Sequence, residues 1–127
     1  MERTVYGANV GTPPLAAYPF SLQAAVRTLE DRIRENPRSA ANYAALGDLY
    51  LFEANWLSKA IAAYERASEL APTERGYRWR LVDLYLNASR ADKMLEELKY
   101  LSEHGPSDVQ TRAWYDYYRT EYSFGDH

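Results

Sequence analysis

Tyr43, Leu46, Gly47 and Tyr50 are followed by Ala60, Tyr64, Ala67 and Pro72, and the second half of that pattern returns 34 residues later as Met94, Leu98, Leu101 and Pro106. A period of this length, with small and large apolar residues at set offsets and a closing proline, marks a helix-turn-helix unit. Such a unit cannot bury its apolar face alone and so stacks on copies of itself. The chain is therefore expected to be all-α, a helical-hairpin solenoid of about six helices.

Capping residues and prolines set the expected boundaries. Residues 1–20 carry Pro13, Pro14 and Pro19 with Gly7 and Gly11, and only Glu2 and Arg3 are charged, so no helix fits there. A free tail is normally polar, whereas this stretch holds Val5, Tyr6, Val10, Leu15, Tyr18 and Phe20; it reads as an extended N-terminal docking arm. Ser21, with Phe20 before it as a staple, caps a helix of about 22–36 along which Leu22, Ala25, Val26, Leu29 and Ile33 recur at helical spacing. Ser39 caps a helix of about 40–53, Asn55 one of about 56–70, and Thr73 opens one of about 74–88. A helix of about 90–103 ends at Gly105 and Pro106, and a capping box from Ser107 to Gln110 opens the last, about 108–122. The expected organisation is an arm over 1–20, a repeat domain over 21–122 and a C-terminal tail over 123–127.

This pattern resembles the tetratricopeptide repeat (TPR) family, whose W-x2-L-G-x2-Y then A-x3-F-x2-A-x4-P is met in the first full copy with Tyr43 for the tryptophan and Tyr64 for the phenylalanine. Ala25, Leu29 and Pro37 match the second-helix half, with Arg32 where a small residue is expected. One extra residue separates Tyr50 from Ala60 and is assigned to the Ala54-Asn55-Trp56-Leu57 turn, where a loop absorbs it. In the next copy Arg78 falls where the tryptophan is expected and Val82 where the glycine is. The resemblance implies a right-handed stack in the order second helix, full repeat, full repeat, first helix. It also implies a protein-binding or assembly surface instead of a reaction. The family's concave face is built by first helices, and one subset binds C-terminal carboxylates there. The matching positions here, Ala44, Asp48, Trp79, Arg80 and Asp83, mostly lack the basic and amide residues required, so recognition of chaperone tails is not expected.

Composition narrows the classes further. A chain of 127 residues makes one domain. Net charge is −3 with pI near 5.4, which removes the broad basic footprint of a nucleic-acid binder. No apolar run approaches the roughly 18 residues of a membrane span, and the N-terminus lacks a basic segment followed by an apolar one. A cytoplasmic location is the default, with an extracellular or surface location open for a processed form. Cysteine is absent. His104 and His127 have no metal or nucleophile spacing, no glycine-rich phosphate loop exists, and Glu30-Asp31 and Glu96-Glu97 read as solvated faces. No enzyme, cofactor or metal is expected. Arg75, Arg78 and Arg80 form the one basic cluster, assigned to pairing with local Asp and Glu or to solvent ahead of an anionic partner.

Twelve tyrosines are the compositional outlier, and four of them, Tyr115, Tyr117, Tyr118 and Tyr122, cluster in the last helix beside Trp114, followed by Phe124. Trp114, Tyr118 and Tyr122 share one stripe with Tyr115 at its edge, read as closing the stack, while Tyr117 projects elsewhere. An array that starts and stops at half-repeats leaves both ends open. The expected function is a non-catalytic structural or scaffold subunit that self-associates head to tail into a filament, through its half-repeat ends and the arm. The alternative is a monomeric adaptor that binds an extended peptide in its concave groove, Trp79 being the anchor. Protein-binding residues are expected to be Tyr6, Val10, Leu15 and Tyr18 in the arm, Leu51, Trp79 and Leu86 in the groove, and Tyr117, Tyr122 and Phe124 at the C-terminal end. The partner is a protein, either other copies or subunits of a larger complex.

Overall fold

The computed structural model describes residues 19–105 and 109–122, with side chains from residue 22 onward. Six helices follow one another: α1 (Pro19–Glu35), α2 (Ala40–Tyr50), α3 (Leu57–Leu70), α4 (Arg75–Asn87), α5 (Ala91–Glu103) and α6 (Val109–Tyr122). Each packs on its successor, so the described residues form an all-α helical solenoid with α1 and α6 at its two ends. Residues 1–18 and 123–127, which include most of the expected arm and all of the tail, lie outside the described residues, as do Pro106 and Ser107.

Several helix ends differ from the spacing argument for local reasons. α1 begins at Pro19, three residues early, which takes Pro19 and Phe20 out of the arm and places Ser21 inside the helix instead of at its cap. A proline suits the first turn because its missing N–H would have no partner there. α2 stops at Tyr50, and a single 3₁₀ turn over Ala54–Trp56 takes up the extra residue. Asn55 lies within that turn, and α3 starts after Trp56 with no side-chain cap. Glu74, not Thr73, caps α4 by accepting from the Gly76 N–H at 3.3 Å. Ser39 caps α2 as its position requires, accepting from the Asn42 N–H at 3.4 Å. Beyond α5, Gly105 has φ +138°, and a Cβ there would meet the Arg75 guanidinium. That guanidinium donates to the His104 carbonyl and, at 3.1 Å, to the Leu101 carbonyl, so Arg75 satisfies acceptors that the end of α5 leaves open.

The core runs through α2–α5 and centres on Tyr64, Leu81, Tyr85, Met94, Leu98 and Leu101. Its two hairpins fill equivalent positions differently. In the first, Gly47 admits the Tyr64 ring, whose Cδ2 and Cε2 lie 2.7 and 2.8 Å from where a Gly47 Cβ would sit. In the second, those positions hold Val82 and Leu98: the helix that gains side-chain volume faces one that loses it. A cation–π pair is exchanged in the same way. Arg66 of α3 lies over Tyr43 of α2 at 5.9 Å, while Arg78 of α4 lies over Tyr100 of α5 at 3.6 Å. The departures of the second copy from the repeat pattern are thus compensated substitutions. Arg78 is mostly buried, pairs with Glu97 at 3.0 Å, and leaves its buried Nε without a partner. Burial raises the Glu97 carboxyl above its ordinary pKa despite the opposing pull of Arg78.

Candidate protein-binding surface

The basic cluster is consumed by the fold. Arg75 caps α5, Arg78 pairs with Glu97, and Arg80 of α4 reaches Asp48 of α2 at 3.7 Å. Asp48 also accepts from the Tyr64 hydroxyl, tying α2, α3 and α4 together. Burial, and then the Asp48 hydrogen bond, push the Tyr64 phenol from 10.0 up to about 12. Asp83, one turn along α4 from Trp79 and Arg80, forms no ion pair within 4 Å among the described residues. Ala44, one of the positions matched to the carboxylate-binding subset, is buried and offers nothing to a ligand.

Between α4 and α6 lies a cleft of about 230 Å³ lined by Trp79, Val82, Asp83, Leu86, Leu98, Trp114 and Tyr118. Among the described residues its walls are mostly apolar and Asp83 supplies the one charge, an arrangement suited to a short apolar segment with a cationic group at one end. Trp79 and Leu86 both line this cleft. Leu51 does not: it sits at the C-terminal end of α2, exposed beside Phe52 and away from this cleft.

α6 rotates differently from the stripe read in its sequence. It turns Thr111, Tyr115 and Tyr118 inward, Thr111 being fully buried, and leaves Trp114 and Tyr122 exposed at 42% and 43%. Trp114, Tyr118 and Tyr122 stack along the helix with centroids 5.4 and 5.9 Å apart, and Tyr117 stands edge-on to Trp114 and Tyr118. Tyr117 and Tyr122 are thus on the surface. Tyr6, Val10, Leu15, Tyr18 and Phe124 lie outside the described residues.

Comparison with solved structures places this architecture. The chain is similar to the crystal structure of a thermophilic TPR protein in Thermus thermophilus, with a TM-score of 0.67 and 28% identity over 86% of this chain. The chain is a TPR-like helical repeat protein. It spans 55% of the length of that Thermus chain. No protein-family model and no curated protein matches it. A TPR-like fold suggests a role in protein–protein interaction and is generally non-catalytic. Among the described residues of this TPR-like protein, no helix is long and apolar enough to cross a membrane.

Trp114 and Tyr118 are the cleft residues that sequence reasoning assigned elsewhere. Their spacing of four marks a shared helix face, but which face depends on the rotation of α6 against α5. The one sequence signal was Thr111: a small residue in line with Tyr115 and Tyr118 is a natural contact point for the preceding helix.

Proposed function

We propose that this chain is a non-catalytic protein-interaction subunit whose α4–α6 cleft holds an extended apolar segment of a partner protein, with a Lys or Arg of that segment beside Asp83. The single observation carrying this reading is the convergence of Trp79, Leu86, Trp114 and Tyr118 around a cleft whose only charge is an aspartate without an ion pair among the described residues. Large aromatic side chains in a partly enclosed pocket supply most of the energy in such contacts, and a rim carboxylate selects the charge of the ligand.

The test is an array of immobilised decapeptides in which apolar residues alternate with Lys, with Glu or with Ser. Binding is expected for the Lys set, lost in Trp79→Ala and weakened at least tenfold in Asp83→Lys, with helicity unchanged in both. Equal binding to the Glu and Lys sets, or full binding by a folded Trp79→Ala protein, would refute it.

A second reading, a scaffold subunit joined head to tail to further copies, is favoured by a separate observation. By its place in the period α6 matches the first-helix half of a repeat, and no described residue follows it to cover its far side, where Tyr117 is 57% exposed. Sequential joining of such ends would build an open assembly or filament.

A further inference from the structure

The surface of α6 beyond the cleft has its own construction. Among the described residues, Gln110, Ala113, Trp114, Tyr117 and Tyr118, all of α6, line an open cavity of about 470 Å³. Tyr117 meets Trp114 at 88° and Tyr118 at 77°, so its ring stands perpendicular to that stacked pair, and the small side chain of Ala113 lines the same cavity. The Trp114 indole N–H and the Tyr117 hydroxyl have no hydrogen-bond partner among the described residues. Upright aromatic rings around a notch, with unpaired donors at the rim, match an extended proline-containing segment. Its rings pack on aromatic faces, and its backbone carbonyls, unpaired in a polyproline helix, accept from such donors.

The chain itself carries such a segment, Thr12-Pro13-Pro14-Leu15 followed by Ala16-Ala17-Tyr18, without a charged residue. Its tether decides which copy it serves. Pro14 lies five residues before Pro19, the start of α1, and five extended residues span about 18 Å. α1 packs on α2, α2 is bridged to α4 by Asp48 and Arg80, and α4 shares the cleft with α6. Three helix spacings of roughly 8–10 Å put α6 about 25 Å away, and the notch is farther still because it lies off the side of α6 that faces α5. Within one molecule Pro13 and Pro14 fall short.

We propose that Thr12–Tyr18 of a second copy docks on the α6 notch formed by Ala113, Trp114 and Tyr117, joining copies head to tail. This rests on the scaffold reading; the notch shares Trp114 and Tyr118 with the cleft, whereas Tyr117 lines the notch and not the cleft. The contact is heterologous, since each copy offers one segment and one notch, so it propagates instead of pairing two chains.

Light scattering of the full chain across a concentration series tests it, using wild type, Tyr117→Ala and the Pro13→Ala/Pro14→Ala double variant, with a synthetic peptide of residues 11–19 as competitor. Tyr117 is exposed, so its truncation is expected to leave helicity and melting temperature unchanged. Wild type is expected to associate, both variants to weaken association at least tenfold, and the peptide to dissociate the assembly and alter tryptophan fluorescence. If wild type associates but neither variant nor peptide has any effect, the docking is refuted and the scaffold reading stands. If wild type is monomeric at every concentration yet the peptide binds α6, docking between copies is refuted. If wild type is monomeric and the peptide does not bind, the scaffold reading falls with it.

Discussion

Gly47→Ala tests the packing logic of the stack most directly, because two opposed effects of known size meet at one atom. An alanine in a helix interior is about 1 kcal/mol better than glycine. Its Cβ, however, would lie 2.7 and 2.8 Å from Cδ2 and Cε2 of Tyr64 and 3.4 Å from the Ala60 carbonyl oxygen. Ordinary carbon–carbon contact is about 3.5–4.0 Å. Tyr64 is 4% exposed and its hydroxyl donates to Asp48, so the ring cannot swing away without giving up a hydrogen bond. Overpacking of this kind costs about 1–3 kcal/mol, which outweighs the helix gain and leaves a net loss of about 1 kcal/mol, or roughly 4 °C in melting temperature. The second hairpin supplies the control, since it carries Leu98 where the first has Tyr64 and there tolerates Val82 in place of glycine. In a Tyr64→Leu background, Gly47→Ala should become stabilising by close to the full helix gain of about 1 kcal/mol, a coupling of about 2 kcal/mol between the sites. Urea unfolding of the four proteins measures it. If Gly47→Ala has the same effect in both backgrounds, or stabilises the wild type, the compensation argument is wrong.

Arg78→Ala should cost about 3 kcal/mol in urea unfolding, because it strands the largely buried Glu97 carboxylate, whereas Arg78→Met with Glu97→Leu should recover most of that loss; equal losses would show the pair to be solvated. Base titration should lower the melting temperature between pH 10 and 12. There the folded chain keeps the Tyr64 proton that the unfolded chain releases, so its contribution is complete below pH 10 and lost as pH rises to about 12. Burial and Glu65 raise Tyr85 in the same direction. Tyr64→Phe should flatten that slope, and an unaltered slope would count against the assignment. Gly105→Ala should destabilise by about 1–3 kcal/mol through its positive φ and collision with Arg75. Arg75→Ala should relieve the collision but not the backbone strain, so a fully neutral double variant would contradict the geometry.

Much of the architecture was legible in the sequence, and the reason is local. Ser39, Pro72 and Gly105 act through their own backbone chemistry, and the apolar offsets report a helical period that no tertiary contact alters. The misplaced boundaries mark where local signals compete. Asn55 and Trp56 went into a 3₁₀ turn because the extra residue had to be absorbed there, and α1 extended over Pro19 because a first turn needs no N–H from it. The lining of the α4–α6 cleft was legible in part. Trp79 and Leu86, seven residues apart on α4, share a face that the helical period shows. That Trp114 and Tyr118 line the same cleft was not legible, because it depends on the rotation of α6.

The amino-acid pattern by itself determined an all-α repeat and the six helices of the described residues, because periodicity and capping are properties of short segments. Only the tertiary structure decided how α6 is turned. Thr111 is fully buried on α6, which packs on α5, and Tyr115 and Tyr118 turn inward with it; that rotation leaves Trp114 lining the cleft and Tyr117 facing solvent. It also decided that Arg78 and Val82 are not decay of the repeat. Each is balanced by Tyr100 or Leu98 on the facing helix, and whether volume and charge balance across an interface can be judged only when both of its sides are in place.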